Sequence, residues 1–298
     1  MKHTPKVIFA LIMFFFVAQF TGLLVVNHYI DHKRTVETKK IEWQSLPYSL
    51  ERPQVKNEST SFIYISFAIL IGTILVLLLI KFNKPLIWKL WFFITVWLTL
   101  AIAFAAFTNS FLAAIIALIL AILKLYKPNI FTQNLSEIFI YGGLAAIFVP
   151  IINLFAAFML LILISIYDFV AVYKTKHMIK LAEFQSNAKV FAGLLIPYEK
   201  EKLPFKSSHS EFKQKKAKVA ILGGGDIGFP LIFAGVVMKG LMLQETVIAG
   251  FLKTLIIPFF VSIALLILLL KGQQNKFYPA MPILSLGCFI GYFIVWLI

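Results

Sequence analysis

Residues 138–173 read IFIYGGLAAIFVPIINLFAAFMLLILISIYDFVAVY. This run of 36 residues carries one charge, Asp168. A helix crosses a bilayer with about 20 apolar residues, so the stretch is too long for one crossing. Gly142-Gly143 and Pro150 supply a break, because proline removes a backbone donor and crowds the preceding turn. Two spans follow, 138–149 and 151–173.

Outward from this pair the pattern repeats. Apolar runs at 7–26, 61–80, 86–107, 111–123, 219–238, 247–270 and 279–298 are separated by short polar or proline-bearing breaks. The reading is an all-α polytopic membrane protein of nine transmembrane helices. Composition agrees: of 298 residues, 60% are hydrophobic and 14% charged, and mean hydropathy is +0.90. A soluble domain, with an apolar share nearer 45–50%, is excluded, as are a disulfide scaffold and a disordered chain. Lys2 and Lys6 precede the first run. That run is longer than a signal-peptide core, and no small-residue cleavage site follows it, so it reads as a retained anchor.

The organisation is then residues 1–174, helices one to six with an outer loop at 27–60; residues 175–218, a cytoplasmic loop expected to be partly mobile; and residues 219–298, helices seven to nine. Together they form a single membrane domain. Lysine and arginine orient it. With the N-terminus cytoplasmic, 20 of the 28 basic residues fall inside and 7 outside, with Lys253 within a span. The bias predicts a cell-membrane protein with cytoplasmic N-terminus and extracellular C-terminus. The net charge of +15 is mostly this topology signal. Basic residues dispersed along membrane edges make no nucleic-acid surface. The lysine-rich inner loop suits anionic headgroups of the bilayer.

Most of the 13 acids, Glu137 and Glu245 among them, read as loop or span-end residues. Only Asp168 and Asp226 sit well inside spans, where an ionisable group is costly and marks function by default. Each lies six to eight residues from the inner end of its helix, roughly 9–12 Å deep at 1.5 Å per residue. No buried cation is an obvious partner, since Lys253 belongs to the outer half of its span. Two carboxylates brought together in low dielectric cannot both ionise easily and share one proton. Such a pair suits peptide hydrolysis. The ionised acid takes a proton from water, while the protonated one polarises the scissile carbonyl.

The flanking residues fit. Gly223-Gly224-Gly225 precedes Asp226. Read as helical, these glycines weaken the helix but let another backbone approach; by themselves they would serve helix packing. Tyr167 adjoins Asp168, and Pro279-Ala280-Met281-Pro282 opens the last span. In order, Tyr167-Asp168, Gly223-Gly224-Gly225-Asp226 and Pro279-Ala280-Met281 resemble the Y-D, G-x-G-D and P-A-L motifs of the presenilin and signal peptide peptidase family of intramembrane aspartyl proteases.

The resemblance spans the whole chain. It implies a presenilin-like nine-helix fold and Asp168 and Asp226 as the catalytic pair. It further implies that Tyr167, Gly223, Gly224, Gly225, Pro279, Ala280 and Met281 shape the site or hold substrate. Met281 replaces the family's leucine, a swap of similar volume. The orientation resembles presenilin rather than the inverted peptidase branch, and a chain this compact resembles microbial, archaeal homologues. The implied activity is an aspartic endopeptidase cutting within transmembrane segments of membrane proteins or signal-peptide remnants. No metal and no cofactor are expected. By resemblance presenilin needs accessory subunits whereas the peptidase branch acts alone; a stand-alone enzyme is expected here, and oligomerisation is left open. The short apolar patch 190–196 is a candidate strand to hold an unwound substrate by β-augmentation.

The competing reading is a proton-coupled transporter or channel using the two aspartates as a relay. The lack of an internal repeat weighs against it. A non-catalytic scaffold would leave two intramembrane carboxylates without a use. No H-E-x-x-H occurs, and none of the five histidines lies in a span, so an intramembrane zinc site has no ligands. There is no G-x-S-G for a serine protease. Prepilin peptidases share G-x-G-D but carry a lysine where this chain has Gly228. The lone Cys288 forms no internal disulfide.

Overall fold

In the computed structural model, the structure describes residues 4–82, 84–175, 181, 184, 185, 190–197, 219–272 and 278–298. The expected cytoplasmic loop 175–218, with its lysines, lies largely outside the described residues, as does Lys276.

The helices are α1 (Pro5–Tyr29), α2 (His32–Thr38), α3 (Ser61–Lys81), α4 (Pro85–Ala105), α5 (Ser110–Tyr126), α6 (Ile130–Phe148) and α7 (Leu154–Tyr173). A hairpin of β1 (Gly193–Pro197) and β2 (Val219–Gly223) follows, then α8 (Gly224–Leu241), α9 (Val247–Thr254), α10 (Ile256–Lys271) and α11 (Met281–Leu297). Among the described residues, seven helical segments are long and apolar enough to cross a membrane. Two shorter apolar helices, α5 and α11, have 17 residues each.

Local chemistry sets the ends. The long run quoted above breaks at a 3-10 turn, Val149–Ile151, holding Pro150. Asn153 then caps α7 by accepting from the Ala156 N–H. Its amide also donates to Ser59 at 2.6 Å, tying the α6–α7 break to the loop at 27–60. Asn129 and Thr132 form a reciprocal capping box at the start of α6. That helix therefore begins two turns earlier than the apolar pattern suggests. The expected span 247–270 divides at Leu255 into α9 and α10, three residues before Pro258.

The largest departure is at residue 219. The expected span 219–238 opens as a strand, and only from Gly224 is the chain helical. β2 pairs antiparallel with β1, Gly193 opposite Gly223 and Pro197 opposite Val219. The patch 190–196 thus does contribute a strand. Gly193 has φ +141°, and a Cβ there would stand 2.2 Å from the Leu222 carbonyl oxygen, so this position admits only glycine without strain.

Helix α8 sits at the centre, touching α1, α6, α7, α9 and α11. Rings from α7, α8 and α11 close around one another: Phe158 lies 5.1 Å from Phe233, 5.0 Å from Phe289 and 5.2 Å from Tyr292. Such pairs add about 0.5–1.5 kcal/mol each beyond burial. Gly287 and Gly291, one turn apart on α11, admit the α10 backbone; a Cβ on Gly291 would meet the Ile257 Cα at 2.8 Å. These contacts fix α7, α8 and α11, the three helices that carry the motif residues.

Candidate active site

Asp168 lies on the C-terminal half of α7, buried at 7% exposure. Its Oδ2 accepts from the Met281 N–H at 3.1 Å, and the Ala280 backbone N–H donates to the same carboxyl. Both donors stand at the opening of α11, where first-turn N–H groups have no intrahelical acceptor. Pro282 follows at the second helical position. The Pro279-Ala280-Met281 stretch thus presents backbone donors to Asp168. One turn deeper, the Ser165 and Ser285 hydroxyls meet at 2.9 Å and join α7 to α11. Tyr167 points elsewhere: its hydroxyl meets Thr73 on α3 at 3.0 Å.

Asp226 occupies the third position of α8, just beyond its N-cap, Gly223. Its carboxyl reaches back to accept from the Gly223 N–H, one half of a capping box, in the region that favours negative charge. Its half-buried carboxyl interacts electrostatically with that of Asp168 on the neighbouring α7. The depth expected for Asp226 from α-helical rise changes, however, because residues 219–223 form a strand, which advances about 3.3 Å per residue. The hairpin, not a continuous helix, sets the position of Asp226.

The glycines also differ from their expected role. Gly223 ends β2, and Gly224 and Gly225 form the first turn of α8, so none weakens a helix interior. Gly224 permits a close approach: a Cβ there would stand 2.6 Å from the Tyr141 hydroxyl. Pro230 lies inside α8 and lacks an N–H for the turn before it. The carbonyl it leaves without a helical donor is that of Asp226, four residues back; Gln19 of α1 donates to the next one, Ile227, at 2.8 Å.

Among the described residues, the hairpin is held on one side only. Asn134 of α6 donates to the Leu195 carbonyl and accepts from the Leu195 N–H, both at 2.9 Å, as a neighbouring strand would. Gln133 donates to the Phe191 and Gly193 carbonyls at 3.1 and 2.9 Å. Residues 193 and 195 therefore turn their polar groups away from β2. By antiparallel alternation, Ile221 on β2 turns its N–H and C=O to the other side. Ile221 is 55% exposed, so the free edge belongs to β2, the strand that runs into Asp226.

Sequence reasoning missed the acid and amides of α6. Glu137, expected at a span end, is 1% exposed. It pairs with Lys124 of α5, 3% exposed. A buried cation therefore does exist, although its partners are Glu137 and Gln133 rather than the aspartates. The missed signal was Gln133, Glu137 and Tyr141 at four-residue intervals, one stripe of a single helix.

Comparison with known proteins agrees with the geometry. A family model described as signal-peptide peptidase, presenilin aspartyl protease matches residues 10–298. None of the curated proteins matches the sequence significantly. Two solved structures of a presenilin family intramembrane aspartate protease, in C222 and P2 crystal forms, share the fold. The first superposes with a TM-score of 0.61 at 18% identity, covering 97% of this chain and 98% of its own. The second gives 0.59 at 17%, covering 97% and 96%. The strand-led Asp226, the donors over Asp168 and the match along almost the whole length lead to one assignment: the chain belongs to the signal-peptide peptidase and presenilin family of aspartyl proteases.

Proposed function

We propose that Asp168 and Asp226 are the catalytic dyad of this intramembrane aspartyl protease. The observation that carries the reading is that two carboxyls on adjacent packed helices, α7 and α8, each held by backbone N–H groups, lie near enough to interact electrostatically. One acid, ionised, takes a proton from a water molecule as its oxygen adds to the scissile carbonyl carbon. The other, protonated, gives its proton to the carbonyl oxygen. Collapse of the tetrahedral intermediate breaks the C–N bond, and the amine leaves with a proton from the dyad.

A substrate helix buries its own backbone bonds and must unwind to be cut. Its freed N–H and C=O groups need partners within the membrane. The open edge of β2, at Ile221, offers them by strand addition and leads an extended segment towards Asp226. Gly223 and Gly225 keep that approach clear of side chains. Pro279, Ala280 and Met281 support the site through the donors to Asp168. Tyr167 acts indirectly, by tying α7 to α3. Substrates are transmembrane segments of membrane proteins or signal-peptide remnants. The chain works without accessory subunits, with its N-terminus cytoplasmic and C-terminus extracellular, as the lysine and arginine bias supports.

Asp168→Asn and Asp226→Asn, each reconstituted in liposomes with a membrane-spanning peptide, test the dyad by mass spectrometry of products. Both are expected to abolish fragments cut within the apolar stretch. Cleavage by either variant at more than a tenth of the parent rate overturns the assignment.

A further inference from the structure

A buried polar network lies on the far side of Gly224 from the aspartates' own supports. The Glu137 carboxylate accepts from Lys124, from the Gln133 amide at 3.1 Å and from the Tyr141 hydroxyl. Lys124 also donates to the Gln133 carbonyl oxygen at 2.9 Å, and its ammonium lies 5.8 Å from the Phe92 ring centre. Lys124, Glu137 and Tyr141 are all at least 96% buried.

Burying an ion pair costs several kcal/mol of desolvation per ion, and apolar residues of equal volume often serve stability as well or better. A network with every member partnered does something else: it fixes one geometry. Here it connects α5, α6, β1 and the first turn of α8. Gln133 extends it to the β1 carbonyls. At the other end, the Tyr141 hydroxyl is aimed by its bond to Glu137 and stands where any side chain at residue 224 would be. Tyr141 also interacts electrostatically with Asp226, two residues along.

We infer that Lys124, Glu137 and Tyr141 are positioning residues for the protease reaction, setting the strand-to-helix junction that aims Asp226 at Asp168. Lys124 and Glu137 hold Tyr141, and Tyr141 holds the Gly224 turn. The inference rests on the dyad proposed above.

The test measures kcat and KM on a membrane-spanning peptide in liposomes for Tyr141→Phe, Glu137→Gln and the double variant, with thermal unfolding alongside. Because lone Glu137→Gln leaves Lys124 unpaired, Lys124→Met/Glu137→Gln replaces it if the single variant does not fold. Each folded variant is expected to lose at least fivefold in kcat with KM within twofold. The combined loss should equal that of one variant rather than the product of the two, because the residues act in series. A smaller fall in kcat, a loss confined to KM, or losses that multiply overturn the inference. Asp226→Asn measured in parallel separates the two levels: if it still cleaves, the dyad itself is wrong.

Discussion

Asn134→Leu removes the side-chain amide that closes the outer edge of β1 while keeping its approximate volume. Two hydrogen bonds are lost, both at 2.9 Å and both to Leu195. Leu195 is 5% exposed and Asn134 2%, so water has poor access to the vacated groups. An unsatisfied buried donor or acceptor costs about 1–3 kcal/mol. Two of them put the loss at about 2–6 kcal/mol, charged first to the hairpin. At 1.4 kcal/mol per tenfold, opening of the hairpin rises by a factor of at least about 30. Hydrogen exchange followed by mass spectrometry reads this directly. Amides of 194–196, 220 and 222, which face the partner strand or Asn134, should exchange faster by that factor, while α10 and α11 stay protected. Cleavage should fall together with the protection. Unchanged exchange in the hairpin, with α6 still folded, refutes the view that α6 acts as the missing strand.

Two further outcomes follow from the same geometry. Met281→Pro deletes the N–H facing Asp168 and also strains Ala280, whose αR backbone a following proline disfavours; a bond to a charged group is worth about 1.5–3 kcal/mol, so kcat should fall at least about tenfold, whereas Met281→Leu should keep at least half the parent rate. Gly193→Ala forces a Cβ against the Leu222 carbonyl; hairpin amides should lose protection, and the melting midpoint of the bundle should move less than that local change.

Charge made the site legible in the sequence. An acid inside an apolar run is expensive wherever it lies, so Asp168 and Asp226 stood out without any knowledge of tertiary contacts. The start of α8 did not. Val219, Ala220, Ile221 and Leu222 are apolar, as is the helix after them, and a run of four such residues fits a buried strand as well as a helix turn. Only pairing with β1, nearly thirty residues upstream, decides between the two. The polar face of α6 failed for the opposite reason. Gln133, Asn134 and Glu137 looked like residues outside the bilayer, because their partners lie on α5 and on β1. Periodicity within one helix reports a stripe but not what faces it. Tyr167 had a plausible place beside the dyad by adjacency alone, but successive residues on a helix point about 100° apart, and its hydroxyl goes to α3.

The one-sided closure of the hairpin also bears on stoichiometry. Exposed strand edges are templates for open-ended pairing between chains. With Asn134 and Gln133 seated along β1, growth can proceed only from β2. The β2 edge pairs directly with one extended polypeptide at a time, so under the proposed function a second substrate waits for that edge until the first has gone.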